Sequence, residues 1–151
     1  MRVAIAGATG AVGSIMLEVL RKRGFPATEV VPFASPRSEG RTIEHVDAPV
    51  RVLADDTIGG FDLALFSAGG STSKEWAPKF VEAGAVVVDN SSAWRMHEDV
   101  PLVVTEVNPD ALDAHQGIVA NPNCTTMVAM LPLKALHDAF GLQSMVATSY
   151  Q

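Results

Sequence analysis

The stretch Val3-Ala4-Ile5-Ala6-Gly7-Ala8-Thr9-Gly10-Ala11-Val12-Gly13 decides the fold. Val3 to Ala6 is a short apolar run, the pattern of a strand buried on both faces. Three glycines follow at GxxGxxG spacing, and an amphipathic segment opens behind them. Val12, Ile15, Met16, Val19 and Leu20 fall at i, i+3, i+4, i+7 and i+8, which predicts one face of a helix. Glu18, Arg21, Lys22 and Arg23 form its wet side and basic last turn, and Gly24 and Pro26 stop it. Each glycine has a physical task in a dinucleotide-binding turn. Gly7 permits the sharp turn off the strand, Gly10 lets the backbone approach a diphosphate, and Gly13 lets the helix pack close to the sheet. N–H groups at the helix start then face the phosphates. The plain alternative is a strand–helix turn without a ligand. The position of the motif, one strand into the chain and ahead of a well-formed helix, favours a cofactor.

Working outward, a second strand is expected at about Val30 to Ala34. Thr42 to Leu53 reads as one or two weaker strands around Pro49, and Asp55 to Gly60 as a turn. Phe61 to Phe66 predicts a strand, Ser71 to Ala83 a helix closed by Gly84, and Ala85 to Asp89 another strand. Leu102 to Val107 has extended character, and Asn108-Pro109-Asp110 starts a short helix. Gly117 to Ala120 predicts a strand, and Cys124 to Phe140 a helix bent at Pro132 and followed by Gly141. Met145 to Tyr150 reads as a last strand. Strands alternating with helices argue for an α/β fold. It is expected to be a Rossmann-like, doubly wound, mostly parallel sheet with helices on both faces.

Composition agrees with that class and excludes others. The 151 residues are enough for one domain with a real core, and 48% hydrophobic with 19% charged is globular. Eleven basic against seventeen acidic residues give a net charge of -6, with no Lys/Arg cluster, so no nucleic-acid or membrane partner is expected. One cysteine permits no intrachain disulfide, the first apolar run is too short for a signal-peptide core, and no run is long enough to span a bilayer. A cytoplasmic protein is the default expectation. Ser149-Tyr150-Gln151 ends at the tip of an expected strand, which suggests a larger protein cut at this point.

Two further loops narrow the chemistry. An Asp or Glu at the end of the second strand would hold a ribose 2′-hydroxyl. The segment here is Ser35-Pro36-Arg37-Ser38-Glu39-Gly40-Arg41, with no carboxylate at the strand tip. Arg37, helped by the hydroxyls of Ser35 and Ser38, can meet a 2′-phosphate, which favours NADP over NAD; a solvated loop is the alternative. Ser67-Ala68-Gly69-Gly70-Ser71 follows the strand ending at Phe66. Its small residues would leave room for the cofactor, or it serves only as a helix entry with Ser71 as N-cap.

Asn121-Pro122-Asn123-Cys124-Thr125-Thr126 joins a strand to the long helix. Cys124 therefore sits at a helix N-terminus, where the helix dipole favours the thiolate, the reactive form. Backbone N–H groups of the same turn could hold an oxyanion. A buried structural cysteine fits this polar setting badly. Arg95, after Asp89-Asn90-Ser91-Ser92-Ala93-Trp94, could grip a phosphate or carboxylate, or form a surface ion pair. His45, His97, His115 and His137 sit in no motif, so no general base is evident.

Together these motifs resemble aspartate-semialdehyde dehydrogenase of the bacterial type in order and spacing, along the whole chain. The related N-acetyl-glutamyl-phosphate reductases typically carry Gly where this chain has Asn123. Glyceraldehyde-phosphate dehydrogenases share Cys-Thr-Thr but differ in the residues before it. The resemblance implies NADPH-dependent conversion of L-aspartyl 4-phosphate to L-aspartate 4-semialdehyde and phosphate, a step feeding lysine (through diaminopimelate), methionine and threonine synthesis. It implies that Cys124 is the acyl-thioester nucleophile, that Gln151 orients the substrate, and that Arg95, with Asn123 beside the cysteine, binds its phosphate. Thr9, Gly10, Ala11 and Val12 would hold the diphosphate, with Gly7 and Gly13 part of the same cofactor-binding turn, Arg37 and Ser38 would hold the 2′-phosphate, and Ser67, Ala68 and Gly69 would lie along the cofactor. No metal is implied. Family members are more than twice as long and are homo-oligomers, dimers or tetramers. Their second part supplies the catalytic His and most of the dimer interface, so residues 1–151 are expected to be an NADP-binding domain inactive by itself. A binding module that holds NADP without turnover, or a reductase of the N-acetyl-glutamyl-phosphate type, is the alternative.

Overall fold

Five strands, all parallel, form one sheet in the order β2-β1-β3-β4-β5. They are β1 (Arg2–Ala6), β2 (Glu29–Phe33), β3 (Leu63–Phe66), β4 (Val86–Asp89) and β5 (Ile118–Ala120). A computed structural model describes residues 1–150. Three helices join the strands: α1 (Ala11–Lys22) leads to β2, α2 (Gly70–Glu82) leads from β3 to β4, and α3 (Cys124–Phe140) follows β5. The chain runs from β1 outward to β2, then crosses back to β3 on the other side of β1. That reversal makes the β1/β3 boundary the switch point of the sheet, where a crevice opens beyond the strand ends.

The central strands are apolar on both sides because both sides are covered. Along β1, Val3 and Ile5 pack with Leu17 of α1, while Ala4 and Ala6 pack with Ala77 and Phe80 of α2. Phe33, Phe66 and Phe80 are fully buried and meet edge to face, with Phe66 and Phe80 centroids 5.4 Å apart. Edge-to-face contact suits their quadrupoles, and truncating one of these rings would cost about 3–5 kcal/mol.

Three expectations fail, each for an identifiable reason. First, α1 is rotated from the face read off its periodicity. Gly13 and Leu17 are buried and Met16 and Leu20 pack beside them, whereas Val12 (43% exposed), Ile15 (57%) and Val19 (39%) face outward. Gly13 sets the rotation, since a β-carbon there would stand 2.2 Å from the Gly7 carbonyl oxygen. Its own face must therefore lie against the turn. Second, residues 42–53 form no strand beyond one parallel bridge of Arg51 to Phe33, fixed by Arg51 N–H to Pro32 O and Ala34 N–H to Arg51 O. The His45 backbone at φ 71 and turns at 44–48 break the extended run. Third, residues 145–150 form no strand and are exposed, Val146 at 99% and Tyr150 at 95%. A strand exists only against a partner, and no described strand lies beside them. Leu102 to Val107 likewise contributes one bridge, Leu102 to Ala120, before turning into a 3-10 segment at Pro109–Ala114.

The helix from Cys124 to Phe140 has the expected bounds, with Gly141 in the left-handed conformation at its end. None of its residues is buried.

Candidate functional site

Parallel strands send all five exits to one edge, and the sequence-predicted residues collect there. Gly7 leaves β1 with φ 88, donating its N–H to Phe33 O at 2.9 Å, and Ala8 N–H donates to the same oxygen at 3.0 Å. This ties the glycine turn to the tip of β2. Gly10 N–H closes the turn on Gly7 O at 3.0 Å, and α1 starts at Ala11. No side chain caps that helix. Its first N–H groups, at Ala11 and Val12, therefore point out of an exposed stretch that begins at Thr9, an arrangement suited to an anion.

Ser67 continues β3, its N–H donating to Ala6 O at 2.8 Å. Ala68 and Gly69 follow, and α2 begins at Gly70. The N-cap is Gly69, without a side-chain bond, and Ser71 lies inside the first turn rather than capping it. A cavity of about 430 Å³ opens between these loops, lined by Gly7, Thr9, Ser35, Ala68, Leu53 and Trp76 among others. It lies at the switch point, on the carboxyl edge. The glycine turn, the uncapped helix start and the cavity together fit a dinucleotide. At Gly7 and Gly13 a β-carbon would strike main chain, Ser67 O at 2.3 Å and Gly7 O at 2.2 Å, so only glycine permits so tight a turn. Another cavity, of about 400 Å³, lies against residues 27–30 and 45–48, at the opposite end of β2 from the glycine turn, and contains none of the predicted residues.

The end of β2 is a 3-10 turn at Pro36–Ser38. Ser35 and Arg37 are exposed, while Ser38 is buried, its N–H donating to Ser35 O at 2.8 Å. Ser35 and Pro36 line the cavity, whereas Arg37 and Ser38 do not.

On the far side of the edge, Cys124 is the first residue of α3 and is exposed. Asn123 is the N-cap. Its Oδ1 accepts from the Thr125 N–H at 3.0 Å and from the Thr125 hydroxyl, so this oxygen is engaged in capping. The sulfur thus sits at the positive end of α3. Arg95 is half-buried and reaches into the same turn: Nε donates to Asn121 O at 2.9 Å and Nη2 to Asn90 O at 3.1 Å. Gln151 lies outside the described residues. From β5 to β1 is three strand spacings, roughly 14 Å, so cysteine and glycine turn occupy opposite ends of one ligand edge.

The pattern described as semialdehyde dehydrogenase, NAD binding domain, matches residues 2–115. The chain belongs to this semialdehyde dehydrogenase family. The matched residues contain the whole glycine edge and Arg95; Cys124 lies beyond them. An aspartate-semialdehyde dehydrogenase of Streptomyces akiyoshiensis is 55% identical over 152 residues, covering 100% of this chain and 44% of its own length. One from Aquifex aeolicus is 52% identical over 155 residues, covering 99% and 46%. The chain therefore spans a little under half the length of these curated relatives. A crystal structure of aspartate semialdehyde dehydrogenase II from Vibrio cholerae complexed with ASA matches with TM-score 0.88 and 48% identity, over 93% of this chain and 47% of that one. An aspartate semialdehyde dehydrogenase with NADP from Candida albicans matches with TM-score 0.72 and 26% identity, over 93% and 48%.

No sequence motif marks Val52, Leu53, Thr72 and Trp76, which wall the cavity. Leu53 and Trp76 are apolar and come from segments far apart in sequence. Lys79, one turn beyond Trp76, places its ammonium 4.3 Å from that ring. Among the described residues no helix is long and apolar enough to cross a membrane, and no group of His, Cys, Asp and Glu is arranged to hold a metal ion.

Proposed function

We propose that this chain is the cofactor- and nucleophile-bearing part of an NADP-dependent aspartate-semialdehyde dehydrogenase, acting in the cytoplasm on L-aspartyl 4-phosphate. The observation that carries the proposal is Cys124 at the N-terminus of α3, with Arg95 tied to the Asn121 carbonyl of the same turn, on the same sheet edge as the glycine turn. Relatives named for this activity support the reading, as does the Candida albicans structure with NADP.

In this reading the backbone N–H groups of Ala11 and Val12 hold the diphosphate with Thr9 beside them, while Gly7, Gly10 and Gly13 shape the turn it approaches. Ser67, Ala68 and Gly69 flank it, and Leu53 and Trp76 wall the adenosine end. Arg37 reaches the 2′-phosphate from the exposed turn with Ser35, and Ser38 shapes that turn from beneath. Cys124 Sγ attacks the acyl carbon of the substrate, the C–O bond to phosphate breaks, and a thioester forms on the sulfur. Arg95 holds the departing phosphate, with Asn123 shaping the turn, and Gln151 orients the substrate. The α3 N-terminus stabilises the negative charge that develops on the carbonyl oxygen. A nicotinamide dinucleotide held by these residues would supply the hydride needed to bring the thioester to the aldehyde level. Release of the aldehyde then returns Cys124. The reverse reaction needs a proton acceptor for the thiohemiacetal hydroxyl. The remainder of a full-length relative would bring that base and the oligomer contacts.

The test is oxidation of aspartate semialdehyde with NADP and phosphate. It would be run on this chain and on this chain joined to the C-terminal part of the Streptomyces akiyoshiensis relative. The joined protein should turn over and lose activity on Cys124→Ala, and the chain alone should bind NADPH without turnover. Unchanged turnover in the Cys124→Ala protein would sink the proposal.

A further inference from the structure

Asp89 ends β4 with its carboxylate fully buried. Alternation along the strand puts it on the face of Val87, the face α2 covers. Its Oδ2 accepts a hydrogen bond from Ser91 Oγ at 2.6 Å, while Oδ1 has no partner among the described residues. A buried carboxylate with an idle oxygen weakens a fold rather than strengthening it. What Asp89 does contribute is the shape of the loop that follows.

Ser91 Oγ, turned toward Asp89, accepts from the Ala93 N–H at 3.1 Å and closes a tight turn. Trp94 then reaches across to α2 and donates Nε1 to the buried Ser73 hydroxyl at 2.9 Å. Arg95 comes next, held between two strand tips: it donates to Asn90 O after β4 and to Asn121 O after β5. Asn121 N–H in turn donates to Asp89 O at 2.8 Å. These bonds occupy the side-on fork of the guanidinium, Nε and one Nη2 hydrogen. The end-on fork, Nη1 with the second Nη2 hydrogen, remains for an oxyanion.

We propose that Asp89 is a positioning residue: through Ser91 it fixes the 90–95 loop so that Arg95 presents its end-on fork to a phosphate group before the ligand arrives. This rests on the reading of Arg95 as the phosphate holder. Because the fork is held by main-chain carbonyls, the site is set in advance and little ordering is left for the moment of binding.

The experiment is titration of the whole chain with inorganic phosphate, followed by ³¹P line width, with NADPH titration as the check on folding. Arg95→Ala should weaken phosphate binding about tenfold or more, the effect of losing charge-assisted hydrogen bonds. Asp89→Ala and Ser91→Ala should weaken it to a similar extent, with NADPH affinity unchanged. Asp89→Asn keeps an acceptor for the Ser91 hydroxyl and should stay within about threefold of the parent, since the clamp survives. Parental phosphate affinity in Ser91→Ala and Asp89→Ala, beside a weak Arg95→Ala, would overturn the positioning role and leave Arg95 as phosphate holder. A loss in Asp89→Asn as deep as in Asp89→Ala would also overturn it. Parental affinity in Arg95→Ala would overturn the underlying reading and the positioning role together.

Discussion

The carbonyl oxygen of Ser67 stands 2.3 Å from the point where a β-carbon on Gly7 would lie. The exits of β1 and β3 are thus pressed together at the switch point, and Gly7 there has φ 88. An alanine at Gly7 meets both a disfavoured backbone conformation and immovable main chain. Gly7→Ala should cost about 3 kcal/mol or more, lowering Tm by about 6–12 °C for a chain of this size. At Gly10 the nearest atom to such a β-carbon is 3.3 Å away and φ is ordinary. Gly10→Ala should keep most of the stability and lose NADPH affinity, because the added methyl stands where the diphosphate would approach. Calorimetry and nucleotide titration on the two variants separate these outcomes.

Arg37 lies exposed on the 3-10 turn after β2, with no carboxylate at the strand tip to select a ribose hydroxyl. NADPH should bind more tightly than NADH. Arg37→Ala should reduce NADPH affinity about tenfold or more, the scale of charge-assisted bonds to a phosphate, and leave NADH affinity alone. Equal affinities for the two nucleotides in the parent chain would remove the NADP assignment.

Cys124 is exposed at the first position of α3. Iodoacetamide should label it at neutral pH faster than it labels a cysteine in an unstructured peptide. Cys124→Ser should abolish labelling and move Tm by less than about 2 °C, as surface substitutions do. A labelling rate no higher than the peptide's would count against an activated thiol.

Asn123 caps α3 through Thr125, and no residue of that helix is buried. The cap therefore supports the helix locally rather than the domain globally. Asn123→Ala should cost about 1 kcal/mol. It should appear as about fivefold faster amide exchange at Thr125 and Met127, with Tm nearly constant. A Tm shift as large as that of Gly7→Ala would mean the helix is coupled to the core after all.

Arg2 Nε donates to Glu29 Oε2 at 2.7 Å, joining the starts of β1 and β2. That hydrogen bond holds the Glu29 carboxyl below its ordinary range, partly opposed by burial. A carboxyl lowered in the folded state stabilises above its unfolded range, and the contribution is lost as pH falls through the folded value. Both side chains are over a third exposed, so the effect is small. Glu29→Gln should lower Tm at pH 7 by about 1–2 °C, with the gap closing in acid. A gap that widens in acid would contradict the assignment.

The legible parts of the chain are those whose signal is local. The β1–glycine–α1 opening, the strands ending at Phe66 and Asp89, and the helix from Cys124 to Phe140 each follow from a short pattern bounded by its own stop residues. The inward face of α1 was harder to read because that helix is apolar on more than one side. Gly13 carried the deciding signal: a glycine that packs against the turn must face it, and Met16, Leu17 and Leu20 follow at helical spacing. Residues 42–53 and 145–150 carry apolar residues without a fixed neighbour, and extended character alone cannot supply one.

The sequence by itself determined the order of elements, the parallel doubly wound class, the glycine turn and the placing of Cys124 at a helix start, since these depend on residue spacing within single segments. Only the tertiary structure decided which residues stand together. Leu53 and Trp76 share one cavity wall, Ser38 is buried beneath an exposed Arg37, and Arg95 spans the Asn90 and Asn121 carbonyls at two different strand tips. Such contacts join segments brought side by side by strand pairing and helix packing, so no periodicity along the chain encodes them.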